Sequence, residues 1–143
     1  MSAQEETLGF LLANVSRLMR RDFEQRLQAT SLTLAQARAL VYVSRHEGIR
    51  QVDLAELLEI QPITLVRLID QLAEAGLVER RADPTDRRAH QVHLTANAAS
   101  QLTVVKRAAA ATRTRALRGL DAEQAALVMA ALRRMHENLA AQS

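Results

Sequence analysis

Residues 51–94 hold the pattern that most limits how this chain can fold. A short helical segment from Gln51 to Leu58 is followed by a tight turn and by a second helix that begins at Pro62, where the missing N–H of proline costs nothing. Gly76 is suited to end that helix, and two short apolar stretches then enclose a polar loop, Asp83 to Arg88. This order of parts predicts a winged helix-turn-helix, a mainly α fold with a small β-hairpin wing.

Helical periodicity also extends before this region. Apolar residues recur at helical spacing from Leu8 to Leu27, and Thr33 is a suitable N-cap for a further helix from Leu34 to about His46. In the segment that starts at Gln51, we expect three leucines to point inward, namely Leu54, Leu57 and Leu58. The helix from Pro62 is expected to bury Leu65, Leu68, Ile69 and Leu72. The wing strands are expected at 78–82 and 91–94.

Two more helices are predicted after the wing. Thr95 is expected to cap a long helix that continues to about Arg118, and Asp121 with Gln124 forms a capping-box pattern for the last helix. One side of the long helix is expected to carry Leu102, Val105, Ala109 and Thr112. The chain therefore has long helices on both sides of the winged segment.

The outer helices carry longer apolar stripes than a lobe as short as 32–94 can cover, and we do not expect them to fold back compactly on it. A two-fold copy of the same chain is expected to cover them. In this division, residues 32–94 form the winged helix-turn-helix lobe, and residues 1–31 and 95–143 form a helical dimerisation region. A monomeric helical bundle is the alternative.

The composition excludes several classes of function. Aromatic residues make up only 2% of the chain, which argues against binding single strands or RNA by base stacking. The absence of cysteine excludes disulfides, thiolate zinc sites and thiol redox switches. No apolar run approaches the roughly 20 residues that span a bilayer, and the polar, acidic N-terminus does not resemble a secretory signal. We therefore expect a cytoplasmic protein without a membrane partner.

The helix that begins at Pro62 carries side chains suited to reading double-stranded DNA. The face opposite its buried stripe presents Ile63, Thr64, Arg67 and Gln71. Because Ile63 and Thr64 lie four and three residues before Arg67, the three share one surface. They offer an apolar group for a thymine methyl, a short polar group and an arginine for guanine, and Gln61 can reach a base edge or a phosphate. An ordinary solvated face with one arginine is the alternative.

The tip of the hairpin is rich in arginine. Asp86 and Arg88 are two residues apart, so their side chains are expected to pair and to hold the guanidinium extended toward a minor groove. Arg80, Arg81 and Arg87 add positive charge for phosphates. A charged, solvated turn is the alternative, but a recognition helix and a wing together are more specific than either alone.

These residues strongly resemble the MarR family of transcriptional regulators. The resemblance rests on Leu32-Thr33, Gln51 to Ala55, Thr64 to Asp70, Gly76 to Arg80, Asp83 to Ala89 and Leu94-Thr95. Within the family, residues 60–67 look most like the SlyA-type branch. It implies a homodimer on a pseudo-palindromic duplex, with Arg67 in the major groove and Arg88 in the minor groove. Members usually repress nearby genes, and some SlyA-type members relieve silencing by other proteins.

Three positions depart from the family pattern. Arg50 replaces a frequent Ser or Thr cap, so it weakens that cap or adds a phosphate contact; Glu59 replaces a turn glycine, and Ala98 replaces another common glycine. None of these changes removes a residue expected to read DNA. The expected phosphate contacts are Arg50, Gln51, Arg80 and Arg81.

The resemblance also implies release of DNA by a small phenolic or carboxylate effector such as salicylate. Arg17 and Arg20 on the first helix, with Tyr42 and His46 on the second, are placed to supply charge and hydrogen bonds to a carboxylate. Alternatively, these arginines are solvated or pair across the dimer.

Other kinds of site find little support. His90 and His93 are three residues apart on a strand and should face opposite sides, so no metal site is expected. The chain has neither a Gly-x-Ser-x-Gly motif nor a phosphate-binding glycine loop, so we expect neither an enzyme nor a cofactor. The competing function is a winged-helix protein-interaction module without specific DNA binding, which would not need Arg67 and Arg88 together.

Overall fold

The computed structural model describes residues 6–141. In this range the chain forms six helices and three strands: α1 (Leu8–Leu27), α2 (Leu34–Arg45), β1 (Ile49–Arg50), α3 (Gln51–Leu58), α4 (Pro62–Glu74), β2 (Val78–Ala82), β3 (His90–Leu94), α5 (Ala98–Ala116) and α6 (Ala122–Ala140). This is the predicted winged helix-turn-helix with long helices on both sides. The N-terminal residues from which a secretory signal was judged absent, and the outermost ends of the predicted dimerisation region, lie outside the described range.

The wing belongs to an antiparallel sheet with the strand order β1-β3-β2. Strands β2 and β3 pair from Val78 opposite Leu94 to Ala82 opposite His90, which confirms the predicted hairpin. Strand β1 was not predicted; its Ile49 pairs with Val92. A two-residue strand is too short to show alternation in sequence, so only its partner strand reveals it.

The winged lobe has its own apolar core. The predicted stripe of α4 is buried, and it packs with Leu40 and Val43 of α2, Leu54 of α3 and Val92 of β3. The prediction for α3 is wrong at Leu57, which is 42% exposed, whereas Leu54 and Leu58 are buried. A helix of only eight residues presents a narrow buried face, and Leu57 falls outside it.

A second cluster joins the outer helices to the lobe. Leu27 of α1, Ala37 of α2, and Val105 and Ala108 of α5 are buried together. The end of α1 and the length of α5 therefore pack against α2, contrary to the expectation that the outer helices do not fold back on the lobe. The predicted stripe of α5 is also wrong at Ala109, which is exposed while Ala108 is buried.

Side-chain caps fix two of the predicted helix starts. Thr33 and Gln36 form a reciprocal capping box at α2, and Asp121 and Gln124 form another at α6. Thr95 does not cap α5, because its hydroxyl donates to the Gly76 carbonyl at 2.5 Å and α5 begins three residues later. Thr95 therefore ties the end of the wing to the end of α4.

The first half of α1 and all of α6 leave apolar side chains uncovered. No residue of α6 is buried, and the exposed large apolar side chains on these two helices include Leu8, Leu11, Leu12, Val15, Leu18, Leu127, Val128, Met129, Leu132 and Leu139. Within residues 6–141, no helix combines the length and hydropathy needed to cross a membrane.

Candidate nucleic-acid interface

Helix α4 presents its predicted reading face to solvent. Ile63, Thr64, Arg67 and Gln71 are all exposed, and Ile63 keeps 61% of its surface accessible. Gln61 occupies the N-cap position of α4, and its side chain makes no capping hydrogen bond there. The Gln71 side chain is oriented by α2, because its side-chain oxygen accepts a hydrogen bond from the Gln36 amide at 3.3 Å. The first two turns of α4 are therefore an open polar and apolar surface.

The wing tip is held by its backbone. The Asp86 carboxylate accepts a hydrogen bond from the Arg88 N–H at 2.9 Å, and the Asp86 carbonyl accepts one from the Ala89 N–H at 3.1 Å. The predicted pairing of the Asp86 and Arg88 side chains is therefore wrong. An aspartate in a turn reaches the N–H two residues later at little cost, and this contact leaves the guanidinium free.

A buried carboxylate anchors the base of the wing. Asp83 accepts hydrogen bonds from the Thr85 hydroxyl at 2.6 Å, from the Thr85 N–H at 2.8 Å and from Arg50 Nε at 2.7 Å. The hydrogen bonds from Thr85, together with Arg50, hold the pKa of Asp83 well below its usual range. In turn, the bond to Asp83 raises the pKa of Arg50. As the departure from the family pattern indicated, Arg50 makes no side-chain cap at α3; it secures the wing instead.

Arg80 also points into the lobe. It lies on the same face of β2 as the buried Val78, and its guanidinium contacts Gln51, the Val66 carbonyl and Asp70. The two-residue period from Val78 was a usable signal for this orientation. Its phosphate contact, and that of Gln51, stay predictions.

The arginines around this surface fall into two groups. Arg50, Arg80 and Arg81 each form an ion pair within the lobe, with Asp83, Asp70 and Glu79 respectively. In the described part of the chain, no ion pair engages the side chains of Arg67, Arg87 or Arg88. The exposed cations at the surface of α4 and at the wing tip are thus available to an outside anion.

A cleft of about 280 Å³ brings the predicted reading elements together. Its walls come from the starts of α3 and α4 and from the wing, and they include Gln51, Pro62, Leu65, Asp86, Arg88 and His90. Arg88 and the first turn of α4 therefore line one depression. The sequence pattern predicts that the helix and the wing lie near each other, but it carries no signal that His90 forms part of this wall.

The residues predicted to hold an effector line neither of two cavities in the described part of the chain. Neither the cleft at the wing nor a second cavity, of about 500 Å³ between α1 and α5, is lined by Arg17, Arg20, Tyr42 or His46. Tyr42 instead packs against the core of the lobe, and the His46 N–H closes the end of α2. An effector contact for these four residues stays a prediction.

An unpredicted cluster lies in the second cavity. Asp22 of α1 accepts hydrogen bonds from Arg26, from the Thr112 hydroxyl and from Arg115, and these donors hold its pKa well below the usual range. The sequence signal was an aspartate four residues before Arg26 on α1, a spacing that lets the two side chains meet. The cluster joins α1 to α5 by charge as well as by packing.

No metal centre is evident in the part of the chain that the structure describes, since no three histidine, aspartate or glutamate side chains converge there. His93 lies beside Gln91 and 3.6 Å from Glu47, whereas His90 lines the cleft. The two histidines therefore have separate surroundings.

Comparison with known proteins shows the same architecture. The sequence model of the MarR family matches residues 32–90. The crystal structure of transcriptional regulator PA3341 has 35% sequence identity and a TM-score of 0.81, covering 93% of this chain and 98% of that one. A mutant MarR from E. coli complexed with operator DNA has 26% identity and a TM-score of 0.74, covering 90% and 92%. The transcriptional regulator SlyA, at 24% identity, has the same fold, with a TM-score of 0.78 and 94% of each chain covered.

Proposed function

Because this chain belongs to the MarR family of transcriptional regulators, we propose that it acts as a homodimer that binds a pseudo-palindromic operator in double-stranded DNA. The observation that carries the proposal is the placement of Arg67 and Arg88. Both are exposed and neither is in an ion pair within residues 6–141, whereas Arg50, Arg80 and Arg81 beside them are paired. A surface that leaves these cations free is suited to an anionic partner.

The recognition helix α4 enters the major groove in this proposal. Arg67 donates two hydrogen bonds to a guanine, Thr64 contacts a base edge or phosphate, and Ile63 packs on a thymine methyl. Gln61 and Gln71, at either end of this face, contact neighbouring bases or phosphates. Pro62 sets the start of the helix, and its ring covers part of the cleft beside the wing.

The wing enters the adjacent minor groove. Arg88 is the inserted side chain, Arg87 contacts the phosphate backbone, and Asp86 holds the turn that presents them. Affinity therefore rests partly on groove width, and narrow A·T-rich minor grooves are preferred because their negative potential is greatest.

In the proposed dimer, the dimerisation region sets the distance between the two DNA-binding lobes. We assign residues 32–94 to the DNA-binding lobe, and residues 1–31 and 95–143 to the dimerisation region. The uncovered apolar faces of α1 and α6 support this division, because a second copy would remove them from water. Two-fold symmetry then places the half-sites about one helical turn of DNA apart.

The output we propose is repression of genes near the operator, or relief of silencing by another DNA-binding protein. A small phenolic anion such as salicylate is proposed to release the DNA. The support for this effector is family membership alone. It is tested by adding millimolar salicylate: a change in both melting temperature and DNA affinity supports it, and no change in either contradicts it.

The direct test of function is to incubate the purified protein with fragmented genomic DNA and to sequence what it retains. A small set of fragments that share an inverted repeat is the expected result. Uniform retention would indicate nonspecific binding. No retention at low salt would leave two explanations, a dimer held by a ligand in a form that does not bind DNA, or the competing function, a winged-helix protein-interaction module. The Arg67→Ala protein is the matched control, because it should remain folded while losing the preference at the position that Arg67 reads.

A further inference from the structure

Arg80 connects three elements of the lobe. From β2, its Nε donates to the Gln51 side-chain oxygen at 2.5 Å, at the start of α3. Its Nη2 donates to the Val66 carbonyl at 3.1 Å and lies 2.7 Å from the Asp70 carboxylate, both on α4. Three of the five N–H groups of the guanidinium are thus used inside the protein.

These contacts lie directly behind the reading surface. Val66 immediately precedes Arg67, and Asp70 follows Arg67 by about one helical turn. Strand β2 continues into the wing, whose tip carries Arg88. Arg80 therefore links the backbone that carries the major-groove arginine to the strand that leads to the minor-groove arginine.

A planar guanidinium is well suited to this linkage. It presents its donors in a fixed fork, so it restrains the angle between two elements as well as their distance, which a flexible ammonium cannot do. The Arg80 side chain is half-buried, with 26% of its surface exposed, whereas the Asp70 side chain that it meets is 59% exposed. Two further side-chain links join the wing to the helices. Arg50 with Asp83 reaches the start of α3, and the Thr95 hydroxyl ties the end of β3 to the turn after α4, but neither contacts the turn of α4 that carries Arg67.

We propose that Arg80 is a positioning residue that fixes the spacing between the recognition helix and the wing, so that Arg67 and Arg88 enter their two grooves in one register. This inference rests on the proposed DNA-binding function and assigns a different role from the phosphate contact that the sequence predicts. Arg80 reads neither a base nor a phosphate. It makes the lobe selective for the number of base pairs between the two contacts.

The experiment compares Arg80→Gln and Arg80→Lys with a matched control, Arg81→Gln. Arg81 is the next residue on β2, and among residues 6–141 its ion pair is with Glu79, so its substitution removes the same charge without touching α4. The DNA probe is a duplex that the wild-type protein selects from a random-sequence library. The positions read by each arginine are those whose preference disappears in Arg67→Ala and in Arg88→Ala.

Affinities are measured over a series of salt concentrations for three duplexes: the selected one, a scrambled one, and one with a single base pair inserted between the two read positions. Arg80→Gln is expected to bind the selected duplex roughly 2- to 30-fold more weakly. It should tolerate the inserted base pair better than wild type, with an unchanged salt dependence. Arg80→Lys should behave in the same way, because restoring the charge does not restore the fork.

The control Arg81→Gln is expected to keep the preference of wild type for the original spacing. If Arg80 contacts a phosphate, Arg80→Gln will reduce the log–log salt slope by about 0.9, Arg80→Lys will restore it, and the spacing preference will be unchanged. That result would overturn the inference. So would an equal loss on all three duplexes accompanied by a lower melting temperature, which would indicate a structural role only.

The experiment distinguishes a failure of the proposed DNA-binding function from a failure of the role assigned to Arg80. A wild-type protein that selects no duplex contradicts DNA reading itself, and the inference falls with it. A wild-type protein that selects a duplex but whose spacing preference survives in both Arg80 variants contradicts only the role assigned to Arg80.

Discussion

Arg50 and Asp83 form an ion pair of 2.7 Å that joins the start of α3 to the base of the wing, although the two residues lie 33 positions apart in the sequence. The Asp83 side chain is only 4% exposed, and Thr85 supplies two more hydrogen bonds to it. The wing is therefore not a free loop. Its base is fixed to the helices, and its tip alone extends outward with Arg87 and Arg88.

This ion pair predicts acid sensitivity. The folded-state pKa of Asp83, like that of Asp22, lies below the ordinary value of 3.8. Each carboxylate therefore contributes stability that is fully present well above pH 3.8 and is lost as the pH falls through that value toward the folded-state pKa. We expect the urea midpoint of wild type to fall from pH 5 to pH 3.

The variants Asp83→Asn and Asp22→Asn should each be less stable than wild type at pH 7 and should show a shallower fall in acid. Glu56→Gln is the control, because Glu56 is an exposed carboxylate on α3 with no ion pair in the described chain. Urea denaturation at several pH values measures this. If the stability of both asparagine variants fell in acid as steeply as that of wild type, Asp83 and Asp22 would not be the source of the acid sensitivity.

Glu59 is held in a left-handed backbone conformation, with φ of +56°, where it ends α3. Because a side chain raises the energy of this conformation, Glu59→Gly is expected to stabilise the protein by about 0.5–1 kcal/mol despite the entropy that glycine gains when unfolded. Glu59→Ala removes the same charge but keeps the strain. Thermal or urea denaturation that finds the glycine variant no more stable than the alanine variant would rule out strain at this turn.

Ile63 and Ile69 lie on the same helix but have opposite surroundings. Ile69 is fully buried, so Ile69→Ala should cost about 2–5 kcal/mol of folding free energy. Ile63 is largely exposed, so Ile63→Ala should change stability by less than about 0.5 kcal/mol while weakening binding to the selected duplex. Denaturation and DNA titration of both variants check this. Undiminished DNA binding by Ile63→Ala would remove Ile63 from the reading surface.

The apolar face of α6 is expected to form part of the dimer interface. Leu132→Asp places a charge on that face, so it should shift the protein from dimer to monomer in sedimentation equilibrium and weaken DNA binding. Ala130→Asp introduces the same charge on the opposite side of α6, since the two positions are about 200° apart around the helix. Equal effects of both substitutions, or no effect of either, would argue against this face.

The sequence was sufficient to predict the elements whose signals are local. Pro62 and Gly76 predicted the ends of the recognition helix within two residues, and the stripe of Leu65, Leu68, Ile69 and Leu72 predicted its buried face. The capping residues Thr33 and Asp121 predicted two further helix starts. Helix caps, helix ends and buried stripes depend on residues within one or two helical turns of each other, so the sequence alone can predict them.

The features that sequence did not predict depend on distant partners. Threonine commonly caps helices, but the Thr95 hydroxyl donates its hydrogen bond to the Gly76 carbonyl instead. Asp86 was expected to bind the Arg88 side chain, but the Arg88 N–H is nearer in a turn. The inward contacts of Arg50 and Arg80 join residues up to 33 positions apart, and only the folded arrangement of the sheet against the helices reveals them.

The central claim, that α4 reads sequence through Arg67, is tested most directly by one titration series. The affinities of wild type and Arg67→Ala are measured for the selected duplex, for the same duplex with each base pair of one half-site changed in turn, and for random DNA. We expect Arg67→Ala to lose about 1–3 kcal/mol on the selected duplex and to stop discriminating at one position of the half-site. Equal losses on the selected and random duplexes would contradict the account.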